Sequence, residues 1–156
     1  MAAACPFPGV QGSQVLIQEL ITGLAARGHR IDLVTYPFGM DAQWRCPRGC
    51  RIHRVNTRLR YPAHHPGLHP VKPLLDAALA RLLEEVVRRR GADLIHAHSV
   101  EGLVAALWVR RQTRTPVLYH SHTLLGEELP TYYRPGPVRF LSKWVGLAAD
   151  RLLPPR

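Results

Sequence analysis

Two histidine pairs stand out. His96 and His98 lie in the run Asp93-Leu94-Ile95-His96-Ala97-His98, and His120 and His122 close the run Pro116-Val117-Leu118-Tyr119-His120-Ser121-His122. In an extended strand, side chains two apart share a face, so each pair presents two imidazoles on one side. An imidazole ligates metals, moves protons or hydrogen-bonds a hydroxyl. Two pairs on neighbouring strands offer a metal site, and a metal-dependent hydrolase is the chemistry that would follow. No nearby carboxylate obviously completes the ligand set. In the plainer alternative, the innermost histidine of each pair is hydrogen-bonded in the core. A third reading places His98 or His122 against a polar ligand such as a sugar hydroxyl.

The loop Gly9-Val10-Gln11-Gly12-Ser13 opens straight into a helical pattern. Glycines let backbone approach a ligand closely, and a helix N-terminus offers unpaired N–H groups with partial positive charge. Phosphate is the natural guest. The loop is neither G-x-G-x-x-G nor a P-loop with its lysine, so an ordinary loop with an N-cap is the competing reading. Cys46 and Cys50 with His53 supply three zinc ligands at most and no clear fourth. An exposed loop with reduced thiols fits them better. The basic run Arg54, Arg58 and Arg60 with His64, His65 and His69 suits anionic lipid headgroups or a merely solvated loop. No nucleic-acid module or aromatic-basic interleaving is present.

These groups need a scaffold. The 156 residues suit one domain with a real core. Hydrophobic residues are 46% and charged residues 21%, which is globular composition. The net charge of +10 favours an anionic partner. Three cysteines make no disulfide scaffold and fit a reducing cytosol. No apolar run is long enough to span a membrane, and Met1 to Val10 lacks the features of a secretory signal.

After the Pro-Gly loop, Leu16, Leu20 and Leu24 with Ile17 and Ile21 predict a helix with Ser13 as N-cap and Gly28 beyond its end. Ile31–Tyr36 reads as a strand and Arg51–Val55 as a short one. Met40–Gly49 and Thr57–Pro73 read as loops. Pro73–Arg90 reads as a helix stopped by Gly91. Asp93–His98 is a buried strand, Val100–Arg111 a helix, Pro116–His122 a strand, Leu124–Pro137 a loop and Val138–Ala149 an amphipathic helix, with Arg151–Leu153 beginning something before Pro154 and Pro155. Strands alternating with helices predict a Rossmann-like α/β sandwich with a parallel sheet. Ligands of such sheets bind beyond the carboxyl ends of the strands.

The order of these features closely resembles the N-terminal domain of GT-B glycosyltransferases of family 4, a group that includes mannosyl- and glucosyltransferases acting on lipids and polysaccharides. The resemblance rests on the Pro-Gly loop, the helix ending Ala25-Ala26-Arg27-Gly28-His29, the strand Ile31–Thr35, the two His-x-His strands and the stretch Ala149-Asp150-Arg151. It implies a metal-independent, retaining transfer of a hexose from a nucleotide-sugar donor to a lipid or glycan acceptor, with no cofactor. Gly9, Gly12 and Ser13 then match the loop that approaches the donor diphosphate. His122 matches the catalytic position near acceptor and transferred sugar. His98, His120, Glu127 and Glu128 become acceptor-side candidates.

The resemblance further implies that residues 1–156 form a single acceptor-side domain. Met1–Ala4 is a shortened first strand, and the nucleotide-sugar domain would begin where this chain ends. The chain is therefore expected to be a fragment, inactive alone. The expected location is cytoplasmic, with peripheral contact at an anionic inner membrane surface. A non-catalytic Rossmann-like binding module is the rival reading.

Overall fold

The computed structural model describes residues 1–37, 44–57 and 71–154. The expected loops at Met40–Gly49 and Thr57–Pro73 fall partly outside them, as do Arg58, Arg60, His64, His65 and His69 of the basic run.

The described residues form a parallel sheet of five strands: β1 (Ala2–Ala3), β2 (Ile31–Thr35), β3 (Cys50–Arg54), β4 (Ile95–His98) and β5 (Val117–His120). Their order is β3-β2-β1-β4-β5. The two-residue β1 is thus the central strand, pairing Ala3 with Thr35 on one side and with His98 on the other. Crossovers are made by α1 (Gly12–Ala26), α2 (Lys72–Arg90) and α3 (Ser99–Thr113). After β5 come the short α4 (Leu125–Glu128), a 3-10 turn over Leu129–Tyr132, and α5 (Pro137–Leu152).

The pleat sorts the core into two layers. Ala3, Ile31 and Leu33 pack with Phe7, Ile17 and Ile21 under α1. Ala2, Val34, Ile95 and Ala97 pack with Leu75, Leu79, Leu103 and Val109 of α2 and α3 on the opposite face. Because Ile95 and Ala97 face α2 and α3, alternation turns His96 and His98 to the α1 side of the sheet. Val117 and Tyr119 lean on the α2–α3 core, which turns His120 to that same side.

Several expected boundaries move, each for a local reason. Ser13 is not the N-cap: α1 starts two residues earlier, at Gly12 with Gln11 as cap, and the Gln14 side chain accepts the Gln11 N–H at 3.1 Å. The deepest stripe of α1 is Gln14, Ile17, Gln18 and Ile21, rotated from the leucine stripe. Leu16, Leu20 and Leu24 are half-buried. Its C-terminal signal holds: Gly28 has φ 86°, the Gly28 N–H reaches Ala25 O at 3.0 Å and the His29 N–H reaches Leu24 O at 3.1 Å, a Schellman closure. The strand at Pro116–His122 ends at His120, so His122 lies just past the sheet edge.

The segment Leu124–Pro137 is not simply a loop. A four-residue helix has no readable periodicity, and α4 exists through tertiary contact. The Asp150 carboxylate on α5 accepts the Leu125 N–H at 3.0 Å and the Gly126 N–H at 2.9 Å. A Cβ on Gly146 would lie 2.5 Å from Gly126 N and Leu125 O, so α4 and α5 touch backbone to backbone. Gly146→Val is expected to push them apart at an overpacking cost of about 1–3 kcal/mol. A thermal melt checks this, and an unchanged midpoint would refute it.

Candidate functional site

The carboxyl edge of the sheet gathers most of the sequence candidates. The loop after β1 is fixed there by its own chain. Thr35 Oγ1 donates to Cys5 O at 2.6 Å, Gln14 Nε2 to Pro6 O at 2.8 Å and Gln18 Nε2 to Gly9 O at 2.9 Å. Both glutamines are buried, and a buried amide without a partner costs about 1–3 kcal/mol, so these bonds set the loop's course. The two loop glycines do different things. A Cβ on Gly9 would meet Gln14 Oε1 at 1.9 Å, whereas a Cβ on Gly12 meets nothing within 4 Å. Gly9 makes room for Gln14, while Gly12 keeps the N-terminus of α1 bare. Gly12 is exposed and Ser13 half-buried, beside the N–H groups of the first turn, where Gln11 and Gln14 form a capping box.

Across β1 stand the four imidazoles. His98 and His120 are register partners in β4 and β5. His98 is 1% exposed, and its Nδ1 lies 3.2 Å from His122 Nε2. The rings stack: His96–His98 at 4.3 Å between centroids, His98–His122 at 5.3 Å and His120–His122 at 4.9 Å. Burial, with the neighbouring imidazoles, pushes the pKa of His96 down to about 4 and that of His98 to about 2. Burial and His120 also lower His122. His96, His98 and His122 are therefore neutral at physiological pH and hold bare ring nitrogens at the sheet edge. The expected core reading is met only in part: His98 is buried, but its partner is His122, and His98 Nε2 and His96 Nε2 are buried with no hydrogen-bond partner. Ser99, which turns β4 into α3, has φ 64°, a left-handed conformation that is strained for a non-glycine residue.

Glu127 and Glu128 do not behave alike. Glu128 accepts hydrogen bonds from Thr123 Oγ1 and the Tyr132 hydroxyl, which folds its carboxylate into the α4 turn. Glu127 is exposed and lines a groove of about 540 Å³ with Thr131, Arg139, Phe140 and Lys143. Glu127 is thus the member of the pair open to a ligand. The third constellation, Cys46, Cys50 and His53, is not assembled for metal. His53 Nε2 is 2.7 Å from Asp32 Oδ1, and Arg90 Nε is 2.7 Å from the same oxygen. Burial would raise the Asp32 carboxyl, but these two partners outweigh it and hold it below its ordinary value. Burial and the neighbouring Cys46 push the Cys50 thiol up, away from the thiolate a metal needs.

A model of the glycosyl transferase 4-like domain matches residues 11–155. The chain belongs to that family. No curated protein matches it. The match spans Gly12, Ser13, the four histidines and both glutamates, with Gly9 just ahead of it.

Within this glycosyl transferase 4-like domain, the structure brings Gly12, Ser13, His98, His120 and His122 to one edge, at the strand ends and just beyond them, where parallel sheets take their ligands. Glu127 and Glu128 follow on α4, held by Asp150. Sequence reasoning gave Gln14 and Gln18 no role in fixing the loop. Their signal was readable: two amides four apart, interleaved with Ile17 and Ile21, on a stripe that must be buried. It also gave no structural role to Asp150, which holds α4 only because α4 meets α5. No helix among the described residues is long and apolar enough to cross a membrane.

Proposed function

We propose that this domain is the acceptor-side half of a retaining glycosyltransferase, moving a hexose from a nucleotide-sugar donor to a lipid or glycan acceptor. One observation carries the reading. The bare N-terminus of α1 at Gly12 follows β1 at the same sheet edge as His98 and His122 on the adjacent strand's side. An anion site and a neutral hydrogen-bonding site thus stand on neighbouring strands of a glycosyl transferase 4-like domain. The donor diphosphate meets the N–H groups of α1, which offset the negative charge that grows on the leaving group. His122 sits at the junction of transferred sugar and acceptor, with His98 behind it as positioning residue. His120 and Glu127 meet acceptor hydroxyls. No metal or cofactor takes part in this transfer. A nucleotide-sugar-binding domain of the same kind of enzyme completes the site in this reading.

The basic charge of the chain and the exposed apolar residues of α5 support work at an anionic membrane surface from the cytoplasmic side. Phe140, Leu141, Trp144 and Val145 are each more than half exposed beside Arg139 and Lys143, an apolar face with cationic flanks.

The test is an assay of the two-domain protein with a panel of nucleotide sugars and lipid or glycan acceptors, followed by NMR of the product's anomeric centre. A product with the donor's configuration supports the reading. Inversion, or tight nucleotide binding without transfer, overturns it in favour of another mechanism or a binding module.

A further inference from the structure

We propose that His96, His98 and His120 bind one divalent transition-metal ion of the zinc, cobalt or nickel kind. This site shares His98 and His120 with the transfer reading, so an ion there competes with the acceptor, but its formation needs neither donor nor acceptor. Each of the three residues offers a ring nitrogen, and these atoms all lie within 4.8 Å of one another. Imidazole–metal bonds are about 2.0–2.1 Å, which sets ligand nitrogens in a tetrahedral site about 3.4 Å apart. The three rings are stacked on one another, so closing on an ion takes side-chain rotation that turns their in-plane lone pairs toward a common point. The backbone is fixed: His96 and His98 are two apart on β4, and His98 is in register with His120 on β5.

The second observation is chemical. His96 Nε2 and His98 Nε2 are buried with no hydrogen-bond partner, an unfavourable state for any polar atom. A cation satisfies both at once. Bound metals commonly have an outer partner on the other nitrogen of the ligating imidazole. His122 Nε2, 3.2 Å from His98 Nδ1, supplies that contact and leaves His98 Nε2 for the ion. The donor set is nitrogen alone, which selects zinc, copper, nickel or cobalt over magnesium or calcium. Three protein ligands leave a fourth position for water.

The test is titration of the metal-stripped full chain with Co²⁺, read by visible absorption and by thermal melting, with Mg²⁺ as control. The expected result is saturable binding of one Co²⁺ per chain, a nitrogen-and-oxygen ligand-field spectrum, a raised melting temperature, displacement by Zn²⁺ and no response to Mg²⁺. His96→Ala and His120→Ala, both at half-buried positions, and His122→Ala should each weaken binding by roughly tenfold or more. Absence of saturable binding overturns the proposal. So does a thiolate-to-cobalt charge-transfer band that disappears in Cys46→Ser, which would place the ion on Cys46 and Cys50. If the histidine variants do not fold, the wild-type spectrum decides between these outcomes. Failure here leaves the glycosyltransferase reading untouched, because transfer is assayed separately in the two-domain protein with chelator present.

Discussion

Gly12→Trp is expected to reduce sugar transfer by about a hundredfold or more while leaving the melting temperature nearly unchanged, since loss of one preorganised donor at a developing oxyanion costs on the order of 3 kcal/mol. The separation of the two effects follows from geometry. Gly12 is the first residue of α1, is exposed, and has open space where its Cβ would project. An indole there displaces nothing in the folded protein. It occupies the volume in which a diphosphate approaches the N–H groups of the first helical turn. Gly9 makes the contrast. Gly9→Ala sets a methyl group 1.9 Å from Gln14 Oε1, so it disturbs the Gln14–Pro6 and Gln14–Gln11 hydrogen bonds and lowers stability first. Single-turnover transfer and thermal melts on both variants check the pair. Unimpaired transfer by Gly12→Trp would remove the α1 N-terminus from the donor site.

The two glycines also show how far the sequence could be read. A Pro-Gly loop opening into a helix was plain, and so were the alternating strands and helices that set Gly12, His98 and His120 at one edge. Those are signals of local pattern: hydrophobic periodicity, turn residues and the two-residue alternation of a strand. Which glycine faces ligand space and which faces its own chain was not legible, because Gly9 is explained only by Gln14 folding back beneath the loop. The central place of β1 was likewise legible only through resemblance, since Ala2–Ala3 carries no strand signal of its own and is held by pairing on both sides. Helix α4 escaped for the same physical reason. Its cap, Asp150, lies 25 positions from Leu125, and no local rule connects them. The separation of Glu127 from Glu128 is a consequence, one facing the groove and the other tied to Thr123 and Tyr132.

His122→Ala is expected to cut transfer per folded molecule by about a hundredfold while nucleotide binding stays near normal, because His122 is assigned to the sugar–acceptor junction and the diphosphate to α1. The same substitution also costs stability. It leaves His98 Nδ1, a buried imidazole atom, without its 3.2 Å partner. Stranding such a group costs about 1–3 kcal/mol, which for a chain of this size lowers the melting temperature by roughly 3 to 10 °C. A purely structural His122 predicts that fall in stability too, so the melt alone separates nothing. The two roles part in the transfer step. A structural histidine leaves the folded fraction with normal transfer at a temperature well below the melt, and His122→Asn, which keeps a hydrogen-bonding side chain toward His98, restores stability and changes activity little. A histidine at the reaction site loses transfer even where the protein is fully folded, and His122→Asn then recovers stability without recovering rate. Single-turnover transfer, nucleotide titration and thermal melting on one preparation of each variant read all three quantities. Normal transfer by folded His122→Ala would retire His122 from the site and leave the histidine cluster with a structural or metal-binding role.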